Sequence, residues 1–421
     1  MDMDMELLNL NSSKNVKTYI LNDKENWNSF FVFFIIIGYI FGVVLYDFLP
    51  LSWFDEFMAV SLVGVYFYRW KFYEVTHKKE LLIFFCISLF YLIYSFYIKS
   101  NVPKAILSDY IVQIKPYLGF FCVLGINPYI DDNKKQVLKK ITYLVFAILV
   151  VTGLSHKLMY LVFGHPSRFA TTAIINGLLY WLSIDKIERK EFLTLILLVS
   201  IGFISGRSKF YGFFIILIIL LLCKINKYSI KISFLNLILL LITISGTLFV
   251  AWDKINYYFI EGVFQSEEAF ARPILYLVSL DIFKDFFPFG SGLASFATFH
   301  SGEYYSSIYS LYEIDNFWGL SEDFNFFISD TYYPSLAQFG IIGLILFFYF
   351  FVRLFNSVKG GFKDLDSYSL IVLSCILFFI IECTSDSTFI QNRGFYVMMI
   401  IAVCCNSYNC KKNDYYENYI M

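Results

Sequence analysis

Seven of the 421 residues are arginine. Four of them, Arg168, Arg207, Arg272 and Arg393, stand at the edges of apolar segments. The planar five-donor fork of arginine matches the oxygens of a phosphate or carboxylate. Arg207 is the sharpest case. It lies in Ser205-Gly206-Arg207-Ser208-Lys209, a very short turn between two apolar segments. A helix beginning near Ser208 aims its first amides at the same place, so these amides, Arg207 and Lys209 together make an anion site. Arg168 follows His165-Pro166-Ser167 at another helix start, and Arg272-Pro273 opens a third. Three arginines at three helix starts predict a diphosphate clamp. The bland alternative for each is snorkelling to lipid headgroups.

Proton acceptors on the same face are fewer. Asp330, in Ser329-Asp330-Thr331-Tyr332-Tyr333, is the first candidate for a general base, with a helix N-cap as its structural alternative. His300 is the second, with an idle solvent-facing ring as its alternative. His165 reads as a structural partner, and Asp386 as a partner for Arg393. Glu303, Asp315, Glu322 and Asp323 read as solvated charges. Metal-ligand spacing, a phosphate-cradling glycine loop and a nucleophile elbow are not found, so no metal and no cofactor are expected. The eight cysteines lie in or beside apolar segments and read as small buried hydrophobes.

The elements that position these residues follow from composition. The chain is 58% hydrophobic and 16% charged, against about 25% charged in a soluble domain. Charges fall in short clusters, and the runs between them approach the roughly 20 residues that cross a bilayer. Twelve spans are expected, at 28–46, 56–69, 80–98, 108–126, 139–155, 168–184, 191–205, 209–224, 231–250, 333–353, 367–383 and 394–410. Backbone pairing inside hydrocarbon requires them to be helices, giving an all-α integral membrane protein. The second opens with Asp55-Glu56, and the fourth contains Lys115-Pro116, which should kink it.

With the N-terminus in the cytoplasm, this alternation places 22 of the 33 basic residues inside, as the positive-inside rule requires. Both termini are then cytoplasmic. The polar first 27 residues lack the features of a removable signal peptide, so the first span acts as an anchor. The net charge of -1 gives no reason to expect nucleic acid. The chain divides into nine spans over 1–250, a large outer loop over 251–333, and three spans over 334–421. The loop carries twelve acidic residues against three basic ones, with Trp252 and Trp318 among many aromatics. Apolar residues at helical spacing run from Glu268 to Phe287, ended by Pro288 and Gly290, so a folded outer lid is expected.

Three segments carry a resemblance. They are Ser205-Gly206-Arg207-Ser208, Phe287-Pro288-Phe289-Gly290-Ser291-Gly292-Leu293, and the run from Ser329 through Tyr333-Pro334 to Phe339-Gly340-Ile341-Ile342-Gly343. In order and spacing around one large outer loop, the chain resembles the O-antigen polymerase and ligase superfamily of bacterial membrane glycosyltransferases. The resemblance implies a GT-C-like layout in the inner membrane. It implies metal-independent joining of polyprenyl-diphosphate-linked oligosaccharides, with Arg168, Arg207 and Arg272 on the diphosphate. A chain-length regulator and a flippase of the same pathway are the implied partners besides the lipid bilayer. Where the ligase branch has a His-Asn pair, this chain has Asp330-Thr331, which favours the polymerase branch. The alternatives are a lipid-linked oligosaccharide flippase, the ligase itself, and a non-catalytic scaffold. A transporter would be expected to show repeated halves and midplane charges.

Overall fold

The computed structural model describes residues 27–72, 75–225 and 271–420, and every regular element among them is helical. In chain order these are α1 (Trp27–Val44), α2 (Phe54–Phe72), α3 (Lys78–Ile98), α4 (Pro103–Ile126) and α5 (Asp132–Gly153). Next come α6 (His156–Phe163), α7 (Pro166–Leu182), α8 (Arg189–Ser200) and α9 (Ser208–Ile225). Then follow α10 (Ala271–Asp285), α11 (Phe299–Glu303), α12 (Ser307–Leu311), α13 (Gly340–Val358), α14 (Ser367–Glu382) and α15 (Asn392–Ile420). The ninth expected span, 231–250, the chain before Trp27 and the start of the large loop lie outside the described residues.

Among the described residues six helical runs are long and apolar enough to cross a membrane: Trp27–Val44, Lys78–Ile98, Pro103–Ile126, Asp132–Gly153, Ser208–Ile225 and Tyr333–Phe362. That is the pattern of a multi-pass membrane protein. Large apolar side chains cover their outward faces, as Leu82, Ile83 and Ile93 do on α3 and Ile345, Phe348 and Val352 on α13. Water would penalise a contiguous apolar surface of this kind, and lipid does not.

Other expected segments are helical but short. α8 rises about 18 Å over its twelve residues. It continues as a 3-10 stretch, Ile201–Ser205, that adds about 10 Å. α6 was not expected; it fills the connection between the fifth and sixth segments. The tenth segment begins as a 3-10 stretch, Tyr333–Phe339, before α13. The cysteines divide: Cys122, Cys375, Cys383, Cys404 and Cys405 are buried, whereas Cys86 is exposed on α3.

α15 is the central pillar. It is buried continuously from Asn392 to Asn406 and packs on α4, α14 and α7. Facing protein on all sides, it can carry polar groups that bond to neighbouring backbones. Asn392 donates to Gly42 O at 2.5 Å, Tyr396 to Ile35 O at 3.1 Å and Asn406 to Val123 O at 3.2 Å. The charged residues of the second and fourth segments meet one another. Lys115 of α4 pairs with Asp55 of α2 and lies 2.7 Å from Glu56.

The described part of the large loop folds around its own core. Ile274, Leu275, Val278 and Ile282 of α10 pack with Phe296, Tyr309, Leu320 and Ile328. This unit is locked to the bundle where two of the sequence motifs meet. Gly292 N–H donates to Gln338 O at 2.9 Å, and Ile342 N–H to Pro288 O at 3.3 Å. A Cβ on Gly290 would come within 2.2 Å of Gly340 N, and one on Gly340 within 2.3 Å of Gly290 N. Both glycines also have positive φ, so the crossing requires glycine on each strand of chain.

Candidate functional site

The charged candidates converge at one end of the bundle, where α7, α9 and α15 begin and α1 and α14 end. His165 is the N-cap of α7, with Nδ1 accepting from Ser167 N–H at 3.3 Å. Arg168, one turn on, pairs with Asp47 in the turn after α1. Arg207, just before α9, places Nη2 2.9 Å from His165 Nε2. A neutral imidazole offers one acceptor nitrogen, and a guanidinium only donates. His165 therefore meets a donor at both nitrogens and must stay uncharged to accept from either. Burial, then the charges of Arg207 and Arg168, push its pKa down to about 4.

Lys209 reaches Glu382, at the end of α14, at 2.8 Å. Arg272, in the first turn of α10, donates to Asp330 at 2.6 Å. Burial raises the Asp330 carboxyl above its usual range, and Arg272 pulls it back. Burial raises Asp47 too, against the pull of Arg168 and Arg393. Arg393, in the first turn of α15, is only 3% exposed. It donates to Gln391, and its Nε has no hydrogen-bond partner. Asp386 accepts from Thr388 at 3.0 Å rather than forming the expected pair with Arg393. Asp386 still lies within electrostatic reach of Arg393, His165, Asp330 and Glu382, which ties the groups into one cluster.

Arg168, Arg207, Lys209, Arg272 and Arg393 are thus gathered as the sequence suggested, with Asp330 among them. The division of labour differs. Arg168, Lys209 and Arg272 each face a carboxylate within 4.0 Å, whereas among the described residues Arg207 and Arg393 have none so close. An arriving anion would meet these two beside the start of α9, whereas α7 offers fewer amides: Pro166 has no N–H, and Ser167 and Arg168 N–H are bonded to His165 Nδ1 and O. Asp330 is not an N-cap; its carboxylate is spent on Arg272, because α10 and the 3-10 stretch after Asp330 pack side by side.

His300 sits elsewhere. It bonds Glu303 at 3.0 Å and lies toward Asp109 of α4 rather than the cluster. Asp47 and Glu382 were missed in the sequence. Each is a lone acid at the end of an apolar run, a signal that marks a paired charge. Among the described residues no group of three or more His, Cys, Asp or Glu is placed to hold a metal.

A cavity of about 480 Å³ runs between α3, α4 and α13. Its lining is mostly apolar, including Phe84, Ile114, Phe121, Leu336 and Phe350. Tyr332, two residues after Asp330, forms part of its wall. No protein-family model matches the chain, and no curated protein matches it.

Proposed function

We propose that this chain is a membrane glycosyltransferase that polymerises polyprenyl-diphosphate-linked oligosaccharide repeat units into O-antigen or a related surface polysaccharide. It acts on the periplasmic face of a bacterial inner membrane, with twelve spans, cytoplasmic termini and the 251–333 segment as an outer loop. The observation that carries the proposal is the gathering of five cations at the starts of four helices, α7, α9, α10 and α15, at one end of an apolar bundle, with Arg207 and Arg393 in no ion pair closer than 4 Å among the described residues.

In the reaction a sugar hydroxyl of one lipid-linked unit attacks the anomeric carbon of the growing chain. The anomeric C–O bond to phosphate breaks, and polyprenyl diphosphate leaves with the electron pair. Preorganised cations and amides stabilise that developing charge at no cost of reorganisation. Arg207 and Arg393 would meet the diphosphate first. The hydroxyl proton passes to a carboxylate, and Asp330 is the candidate, provided that Arg272 turns from it to the phosphate as substrate binds. The exchange gives Asp330 its basicity at the moment it is needed. The cavity between α3, α4 and α13 suits the isoprenoid tail.

The test is a polymerisation assay in membranes of a strain lacking the gene. Wild type should yield a ladder of polymer, and Arg207→Ala should leave single lipid-linked units. Inserted wild-type protein that makes no polymer would overturn the proposal, and full-length polymer from inserted Arg207→Ala would remove the clamp. The flippase alternative has one observation in its favour, the Lys115–Asp55–Glu56 group inside the bundle. Translocation of lipid-linked units in vesicles, unaffected by Arg207→Ala, would favour it.

A further inference from the structure

We propose that Trp318, Phe324 and Phe326 form a carbohydrate-binding platform that stacks a sugar ring of the substrate beside the Arg272–Asp330 pair, a proposal that rests on the glycosyl-transfer reading and adds a site to it. Trp318 is 61% exposed, Phe326 48% and Phe324 41%. Single exposed aromatics are ordinary, but these three touch one another and make a contiguous patch. Ring centroids are 5.2 Å apart for Trp318–Phe324, 5.3 Å for Trp318–Phe326 and 4.3 Å for Phe324–Phe326. The Trp318 and Phe326 planes stand at 88°, so these two rings meet edge to face rather than in a parallel stack. Electron-rich ring faces attract the C–H face of a pyranose, whose hydroxyls project sideways to polar neighbours.

The platform is built into the fold. Leu320 and Ile328 anchor its two sides in the loop core, and Asn325 donates to Gly302 O at 3.0 Å. Phe327 N–H donates to Gly319 O at 3.1 Å. Gly319 has φ +82°, and a Cβ there would come 2.2 Å from Phe327 Cδ2. A surface held this way loses little freedom on binding.

Charge decides which partner it fits. Segment 313–327 carries Glu313, Asp315, Glu322 and Asp323 and no basic residue. Segments that lie in a bilayer surface carry Lys and Arg for anionic headgroups, so a membrane is the wrong partner. Carboxylates only accept, and sugar hydroxyls donate to them. The platform also joins the charged cluster. Phe327 packs 5.1 Å from Trp318, and the Arg272 guanidinium lies 6.0 Å from the Phe327 centroid.

The test uses full-length detergent-purified protein and immobilised surface polysaccharide extracted from the source cells, without lipid-linked donor. Wild type should bind, Trp318→Ala and Phe326→Ala should each weaken binding roughly tenfold, and Trp318→Phe should keep most of it. Equal thermal melts of the variants confirm that the fold survives. No binding by wild type, or wild-type affinity in Trp318→Ala, overturns the proposal. So does quenching by brominated lipid in nanodiscs that disappears in Trp318→Phe, since it would place the ring in the bilayer. Binding needs no catalysis, so a platform that passes while inserted wild-type protein makes no polymer leaves the platform standing and removes the polymerase reading.

Discussion

Arg272 and Asp330 are 58 positions apart in the chain and 2.6 Å apart in space. The pair closes α10 of the loop unit onto the approach to α13, and it joins the proposed base to a proposed phosphate ligand. The two residues should therefore act as one unit. Asp330→Asn should lower polymer formation on the order of a hundredfold, because the amide keeps the shape but cannot take a proton. If Asp330 only holds Arg272, the double variant Asp330→Asn/Arg272→Ala should be no worse than Arg272→Ala alone. Polymer ladders normalised to membrane protein level separate the two, and a normal ladder from Asp330→Asn excludes the base role.

Arg393 and Arg207 should be the cations least replaceable. Arg393→Lys and Arg207→Lys should restore little of the activity lost in the alanine variants, since lysine lacks the two-pronged fork. Asp47→Asn should be milder, because it frees Arg168 rather than removing a cation. The same ladders, read as chain-length distributions, check the order of severity.

His165 gives a pH dependence with a definite sign. Its folded pKa lies near 4, below the ordinary 6.5. Between those values the unfolded chain holds a proton that the folded chain does not. Stability from this group is therefore complete above about pH 6.5 and declines as pH falls toward 4. Purified wild type should lose more melting temperature between pH 7 and pH 5 than His165→Gln. Equal losses would show that the ring is solvated and ordinary.

Lys115 should matter for stability rather than chemistry. Lys115→Met leaves Asp55 and Glu56 uncompensated inside the bundle, which should cost roughly 3–5 kcal/mol. Replacing all three, as Lys115→Met with Asp55→Asn and Glu56→Gln, should recover most of it. Thermal unfolding in detergent measures both, and a single variant as stable as wild type would show the group to be inert.

The orientation is testable by reporter fusions. Fusions after Asp185 and Lys363 should report cytoplasm, and those after Asn101 and Ser385 periplasm, because the basic residues flank the first pair. A cytoplasmic signal at Ser385 would put the cation cluster on the wrong side for periplasmic polymerisation.

The amino-acid sequence by itself determined where helices form and which residues are worth watching. Apolar runs, Pro166 at a helix start, and arginines at apolar edges are local features, and local features are legible without a fold. Tertiary structure decided the partners. Arg168 meets Asp47 across 121 residues, and Lys209 meets Glu382 from a helix that carries no charge until its last position. His300 and Asp330 look alike in a list of candidates, yet packing sends one to Glu303 and the other to Arg272. The reason is range. A helix is set by neighbours three and four residues away, whereas a buried charge is satisfied by whatever distant segment the packing of the bundle brings beside it.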